Sequence, residues 1–152
     1  MMDSNRVMLR ILLVLTFIGS GLSMLSYLMF ALMLPQLQQT VADNPGLLPE
    51  QFVTAAQRMF EVPQLYYGAC AILYLISLSG AVLMWKERWS GFHSYTLAQL
   101  LLLAVPLLFL GRGFVGIGDV MMTALFVGAY YVLMKRVTAT HDDEETNTLQ
   151  EP

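Results

Sequence analysis

Charged residues are absent from residues 11–34, 63–85 and 91–110, and a single acid, Asp119, interrupts residues 114–134. Each of these stretches is close to the ~20 residues that a helix needs to cross the hydrocarbon of a bilayer. Four such runs leave few folds open. In lipid every backbone amide must find its partner within the chain, so Leu-rich and Met-rich runs of this length predict helices. Barrel strands would be shorter and would alternate. Charged residues make up 12% of the chain, about half the share in a soluble domain, and the mean hydropathy is +0.60. The reading is an all-α membrane protein, an antiparallel bundle of four transmembrane helices with the lipid bilayer as its first partner.

Basic residues set the expected orientation, because they favour the cytoplasmic side of short flanking segments. Arg6, Arg10, Lys86, Arg88, Lys135 and Arg136 fall on one side of a four-span arrangement, and Arg58 and Arg112 on the other. Both termini and the turn at residues 86–90 are therefore expected inside, with Trp85 and Trp89 at the depth where indoles sit half in lipid and half in water. The first span is read as retained. Thr40-Val41-Ala42 loosely resembles a cleavage site, but 24 uncharged residues exceed the about 7–15 of a signal core. The net charge of −3 misleads, since Asp142, Asp143, Glu144, Glu145 and Glu151 all lie at the C-terminal end. With almost no apolar residues to bury, residues 135–152 read as an acidic, disordered cytoplasmic tail.

Residues 35–62 form the one sizeable external segment in this arrangement. Asn44-Pro45-Gly46 reads as a turn. Pro49 suits a first helical position and Glu50 the positive end of a helix. Leu48, Phe52, Ala56, Met59 and Phe60 then recur at steps of three and four, which predicts a short amphipathic helix over about 49–61, ended by Pro63.

Gly111, Gly113 and Gly116 have G-x-G-x-x-G spacing. A dinucleotide fingerprint needs a strand before it and a parallel sheet around it. Here the run follows the third span and opens the fourth, so it reads as an external turn at residues 111–113, and no nucleotide or nucleic acid is expected. Asp119 is a stronger feature, because an intramembrane acid must face protein or water. Helical stepping places Arg112, Gly116, Asp119, Thr123 and Tyr130 on one polar stripe. The first span shows a matching seam of Thr16, Ser20, Ser23 and Tyr27 flanked by Gly19, Gly21 and Ser26, where small residues allow close helix packing. Counting depth along the spans brings Ser26, Tyr27, Tyr66, Tyr67 and Asp119 to one level. That predicts a partly polar pocket open to the outside, lined mainly by spans one, two and four, with Arg112 in reach of the acid. The packing contacts are assigned to Gly19, Ser20, Ser23, Gly116 and Thr123.

No other constellation carries chemistry. Cys70 is the only cysteine, which excludes an internal disulfide or a thiol-redox pair. His93 begins the third span, and His141 is the only other histidine, so no cofactor or metal is expected and no residue is assigned as catalytic.

The segment WKERWSGFHSYTLAQLLLLAVPLLF, with TFIGSGLSMLSY in the first span, resembles a group of small uncharacterised four-helix membrane proteins associated with Bacteroidota. The likeness covers the four spans; it implies a bacterial inner membrane and no activity. The chain lacks the paired cysteines of quinone-linked disulfide-forming enzymes and the first-span acid of small multidrug exporters. Three readings follow. The leading one is a non-enzymatic accessory or assembly protein working through helix contacts with a membrane-protein partner or its own copies. The alternative is a small oligomeric transporter, or proton- or cation-coupled carrier, using Asp119. The third is a lipid- or quinone-linked membrane enzyme.

Overall fold

The computed structural model describes residues 4–44, 46, 49–111 and 115–148, and every regular element among them is an α-helix. In chain order these are α1 (Ser4–Asp43), α2 (Glu50–Glu61), α3 (Gln64–Trp85), α4 (Trp89–Phe109) and α5 (Ile117–Thr148). Helices α1, α3, α4 and residues Ile117–Ala139 of α5 are each long and apolar enough to cross a membrane. Much of their outer surface is large and hydrophobic, including Ile18, Leu22, Leu32, Leu65, Ile72, Leu108, Met121 and Leu125. A water-soluble chain could not keep so continuous an apolar surface dispersed, whereas lipid solvates it.

Two helix ends differ from the sequence reading. Helix α1 does not stop at residue 34 but continues through Pro35 to Asp43, 40 residues in all, a length of about 60 Å. Proline inside a helix withholds the N–H owed to the carbonyl four residues earlier, here that of Ala31. The Gln64 side chain supplies the missing donor, its Nε2 lying 2.6 Å from the Ala31 oxygen. At the other end, residues 135–148 are helical as part of α5, where composition predicts disorder. The span already provides the helix nucleus, so each added residue gains a backbone hydrogen bond without paying the cost of nucleation.

The helices enclose two apolar clusters with a hollow between them. One cluster joins Leu9 and Leu13 of α1, Ala81 and Met84 of α3, Tyr95 of α4, and Tyr130, Leu133, Met134 and Val137 of α5. The other joins Ala31 and Leu34 of α1 to Tyr66, Tyr67 and Cys70 of α3, with Phe60 and Val62 packed against them. Arg6 pairs with Glu87 at 3.6 Å and the Arg10 guanidinium lies over the Trp85 ring. The start of α1, the turn between α3 and α4 and the end of the α5 span therefore share one end of the molecule.

Helices α3 and α4 make the closest approach, and Gly80 and Gly91 permit it. A Cβ added at Gly80 would lie 2.7 Å from the Tyr95 nitrogen, and one at Gly91 only 2.5 Å from the Met84 nitrogen. The small-residue contact read at Gly19 and Gly21 is not there, since nothing lies within 4 Å of a Cβ at either. Those glycines sit on open stretches of α1, while Ser20, one residue along, is buried.

Candidate functional site

The polar residues of the spans collect in the hollow between the two clusters. A cavity of about 350 Å³ is lined by Tyr27 of α1, Tyr66 and Tyr74 of α3, Gln99, Leu102, Leu103 and Pro106 of α4, Leu110 and Val115 near the α4–α5 connection, and Asp119, Met122 and Thr123 of α5. A second cavity of about 220 Å³ shares Tyr74, Gln99, Met122 and Thr123 with it and reaches Thr16, Gly19, Ser20, Ser23 and Tyr95. Together they make one cleft that runs from Asp119 toward the cluster around Tyr130.

Asp119 sits in the first turn of α5, at the very start of the helix, and it is exposed. Its Oδ2 accepts the Gly116 backbone N–H at 3.0 Å. This is the reach-back half of a capping box, in which an acid in the third helical position satisfies an amide just outside the helix. Gly116 thus precedes α5 and lies off its surface stripe, contrary to the sequence reading. The depth count put the acid more than a turn below the outer boundary because it started the fourth span at residue 114, whereas α5 starts at Ile117. Arg112 lies outside the described residues.

Three aromatic rings form one wall of the cleft. Tyr27 stacks on Tyr74 with centroids 5.5 Å apart, and Tyr66 meets Tyr27 edge-on at 6.2 Å. Gln99 crosses from α4 to α3, its Nε2 donating to the buried Ser77 hydroxyl at 3.2 Å. In α4, Pro106 has no N–H to return to the carbonyl of Leu102, and both residues line the cavity. The cleft closes at its inner end on a hydrogen-bonded knot. The Tyr130 hydroxyl donates to the Leu12 carbonyl at 2.9 Å. Its single proton is thereby used, so the Thr16 hydroxyl donates to the Tyr130 oxygen. Tyr130 is fully buried and ties α5 to α1 at the cleft floor.

Of the residues assigned to a pocket by sequence, Tyr27, Tyr66 and Asp119 come together, and Thr123, read as a packing residue, joins them. Tyr67 does not line the cleft; it stacks on Phe30 at 5.7 Å and meets Tyr66 edge-on. Ser26 is exposed in a groove with Met29, Phe30, Met33 and Leu37. The third span, read as a minor contributor, forms much of the wall. Gln99 was visible as the only amide in an apolar run, and Tyr74 as a third tyrosine two turns beyond Tyr66 and Tyr67 on the same helix. His93 is exposed, with Nδ1 2.9 Å from the Trp89 carbonyl oxygen, and among the described residues no three of His, Cys, Asp and Glu gather as metal ligands would. Comparisons with protein-family models, curated proteins and solved structures find no match to this chain.

Proposed function

We propose that the chain is a multi-pass protein of a bacterial inner membrane that binds, and as an oligomer carries, a small solute through the cleft headed by Asp119. The reading takes the four spans as an antiparallel bundle with both ends of the chain and the 86–88 turn in the cytoplasm. The shared end of Arg6, Arg10 and the turn supports this, since it gathers basic residues as the cytoplasmic face of membrane proteins does. The cleft then opens outward at the α4–α5 connection and is closed inward by the Tyr130 knot.

The observation that carries the proposal is the cavity itself. Lipid offers no reward for grouping polar side chains around an empty space, and a structural acid would need only its own hydrogen-bond partners. Here a carboxylate, three phenols, an amide and a hydroxyl line a volume of about 350 Å³, within the range of small-molecule sites. This favours a solute site over a surface for helix partners. The test is thermal unfolding of the purified protein in an uncharged detergent against a panel of small cationic, anionic and neutral solutes. At least one class should raise the midpoint saturably, and Thr123→Phe, which fills the cleft, should unfold cooperatively but lose the response. A panel without effect on the unmodified protein would refute the reading.

A further inference from the structure

The chemistry of the cleft wall indicates the class of solute. Among the described residues that line the main cavity, Asp119 is the only charged side chain, and none of them is Lys, Arg or His. Its Oδ2 is engaged by Gly116, and Oδ1 has no hydrogen bond among the described residues. One turn or more into the cleft stand groups of the same sign preference. Tyrosine ring faces attract cations through the ring quadrupole. Pro106 deprives the Leu102 carbonyl of its helical donor, leaving a backbone oxygen with acceptor capacity, as at the broken helices that hold cations in membrane carriers. An anion would meet like charge and acceptors here. A bare metal ion would leave most of the volume, and the apolar wall of Leu103, Leu110 and Met122, without a purpose.

We infer that the cleft takes an organic ammonium group, paired with Asp119 and seated against the Tyr27–Tyr74 stack, with its hydrocarbon substituents on the apolar wall. The inference rests on the cleft being a solute site. An ammonium of this kind comes either from a free amine or from the headgroup of a lipid entering from the outer leaflet, and both present the same chemistry to the carboxylate.

Choline and 3,3-dimethylbutanol have the same shape and differ in charge, so they form the test pair. In maltoside detergent, choline should raise the unfolding midpoint saturably, while dimethylbutanol at equal concentration should not. Asp119→Asn keeps an acceptor for Gly116 and so keeps the start of α5, yet it should abolish the choline response. Tyr74→Leu should weaken apparent choline affinity at least fivefold through loss of the ring. Repeating the titration in nanodiscs separates the two sources. Ethanolamine-headgroup lipids, compared with glycerol-headgroup lipids, should raise the apparent choline Kd at least fivefold if headgroups enter the site, and leave it unchanged if the source is a free amine; either result retains the ammonium. Equal stabilisation by dimethylbutanol, or an undiminished choline response in Asp119→Asn, would overturn the inference while leaving a solute cleft. Stabilisation by anionic or neutral solutes with none by choline would do the same. Silence toward every solute in the panel would remove the cleft reading as well.

Discussion

Substituting Gly91 by alanine should cost the fold more than its single added methyl suggests. A Cβ there would stand 2.5 Å from the Met84 nitrogen, 2.6 Å from the Gly80 oxygen and 2.7 Å from Leu83 Cβ. Two of these neighbours are backbone atoms and the third is a Cβ whose place the backbone fixes, so no rotamer change can move any of them. To regain ordinary contact the facing backbones of α3 and α4 must separate by roughly 1 Å or more at the nearest point. Because the two helices are joined by the short 86–88 turn, that separation disturbs the packing of Met84 and Tyr95 in the adjoining cluster. Overpacking of this kind costs about 1–3 kcal/mol. Helix propensity acts in the opposite direction by up to ~1 kcal/mol, so the useful comparison is with Gly19→Ala, which shares that gain and meets nothing within 4 Å. Thermal unfolding in detergent should place Gly91→Ala below Gly19→Ala by roughly 2–4 °C for each kcal/mol of difference. Equal midpoints, or a lower one for Gly19→Ala, would refute the claim that the α3–α4 glycine contact, and not the Gly19 face, is the tight seam.

Tyr130→Phe removes the hydroxyl that holds Leu12 and Thr16, and should lower stability by about 0.5–1.7 kcal/mol, the span of interhelical hydrogen bonds in lipid, read by the same unfolding assay. Gln64→Leu should lose about 1 kcal/mol because it strands the Ala31 carbonyl, and the loss should shrink in a Pro35→Ala background, where the helix regains its own donor; a double-mutant cycle with no coupling would contradict this. Phosphatase fusions at Gly46 should be active and those at Glu87 inactive, since the proposed topology puts the first outside and the second in the cytoplasm; the opposite pattern would invert that topology.

The helices were legible in the sequence because lipid imposes its demand on each segment separately: a run without charge, long enough to span, has one backbone solution. What could not be read was the rotation of each helix about its axis. In water a core-facing stripe is apolar and the outer face polar, but the exposed Ile18, Leu22 and Leu125 are as apolar as anything inside. The choice between Gly19 and Gly80 as a seam therefore had no local signal. The continuation of α1 past Pro35 depends on Gln64, a partner 33 residues away, which no local pattern reveals. The site was half visible. Asp119, Tyr27 and Tyr66 stood out as polar groups at one depth and Gln99 as the one amide of its run, whereas the carbonyl freed by Pro106 belongs to a span read as a minor contributor to the wall. What the sequence misjudged is where α5 begins, and with it the depth of Asp119, which stands exposed in the first turn of the helix.

The central claim, a water-accessible cleft opening away from the basic end, is tested most directly by thiol labelling in intact cells. Cys70 is the chain's only cysteine and is buried, so a Cys70→Ala background carrying one introduced cysteine reports on one position. Thiolates form in water and not in lipid. Thr123→Cys, in the cleft, should react with a charged, membrane-impermeant methanethiosulfonate added outside, while Leu125→Cys, two residues on and on the exposed apolar face, should not. A Thr123→Cys protein that stays unlabelled until the cells are permeabilised, or labels no faster than Leu125→Cys, would contradict the account.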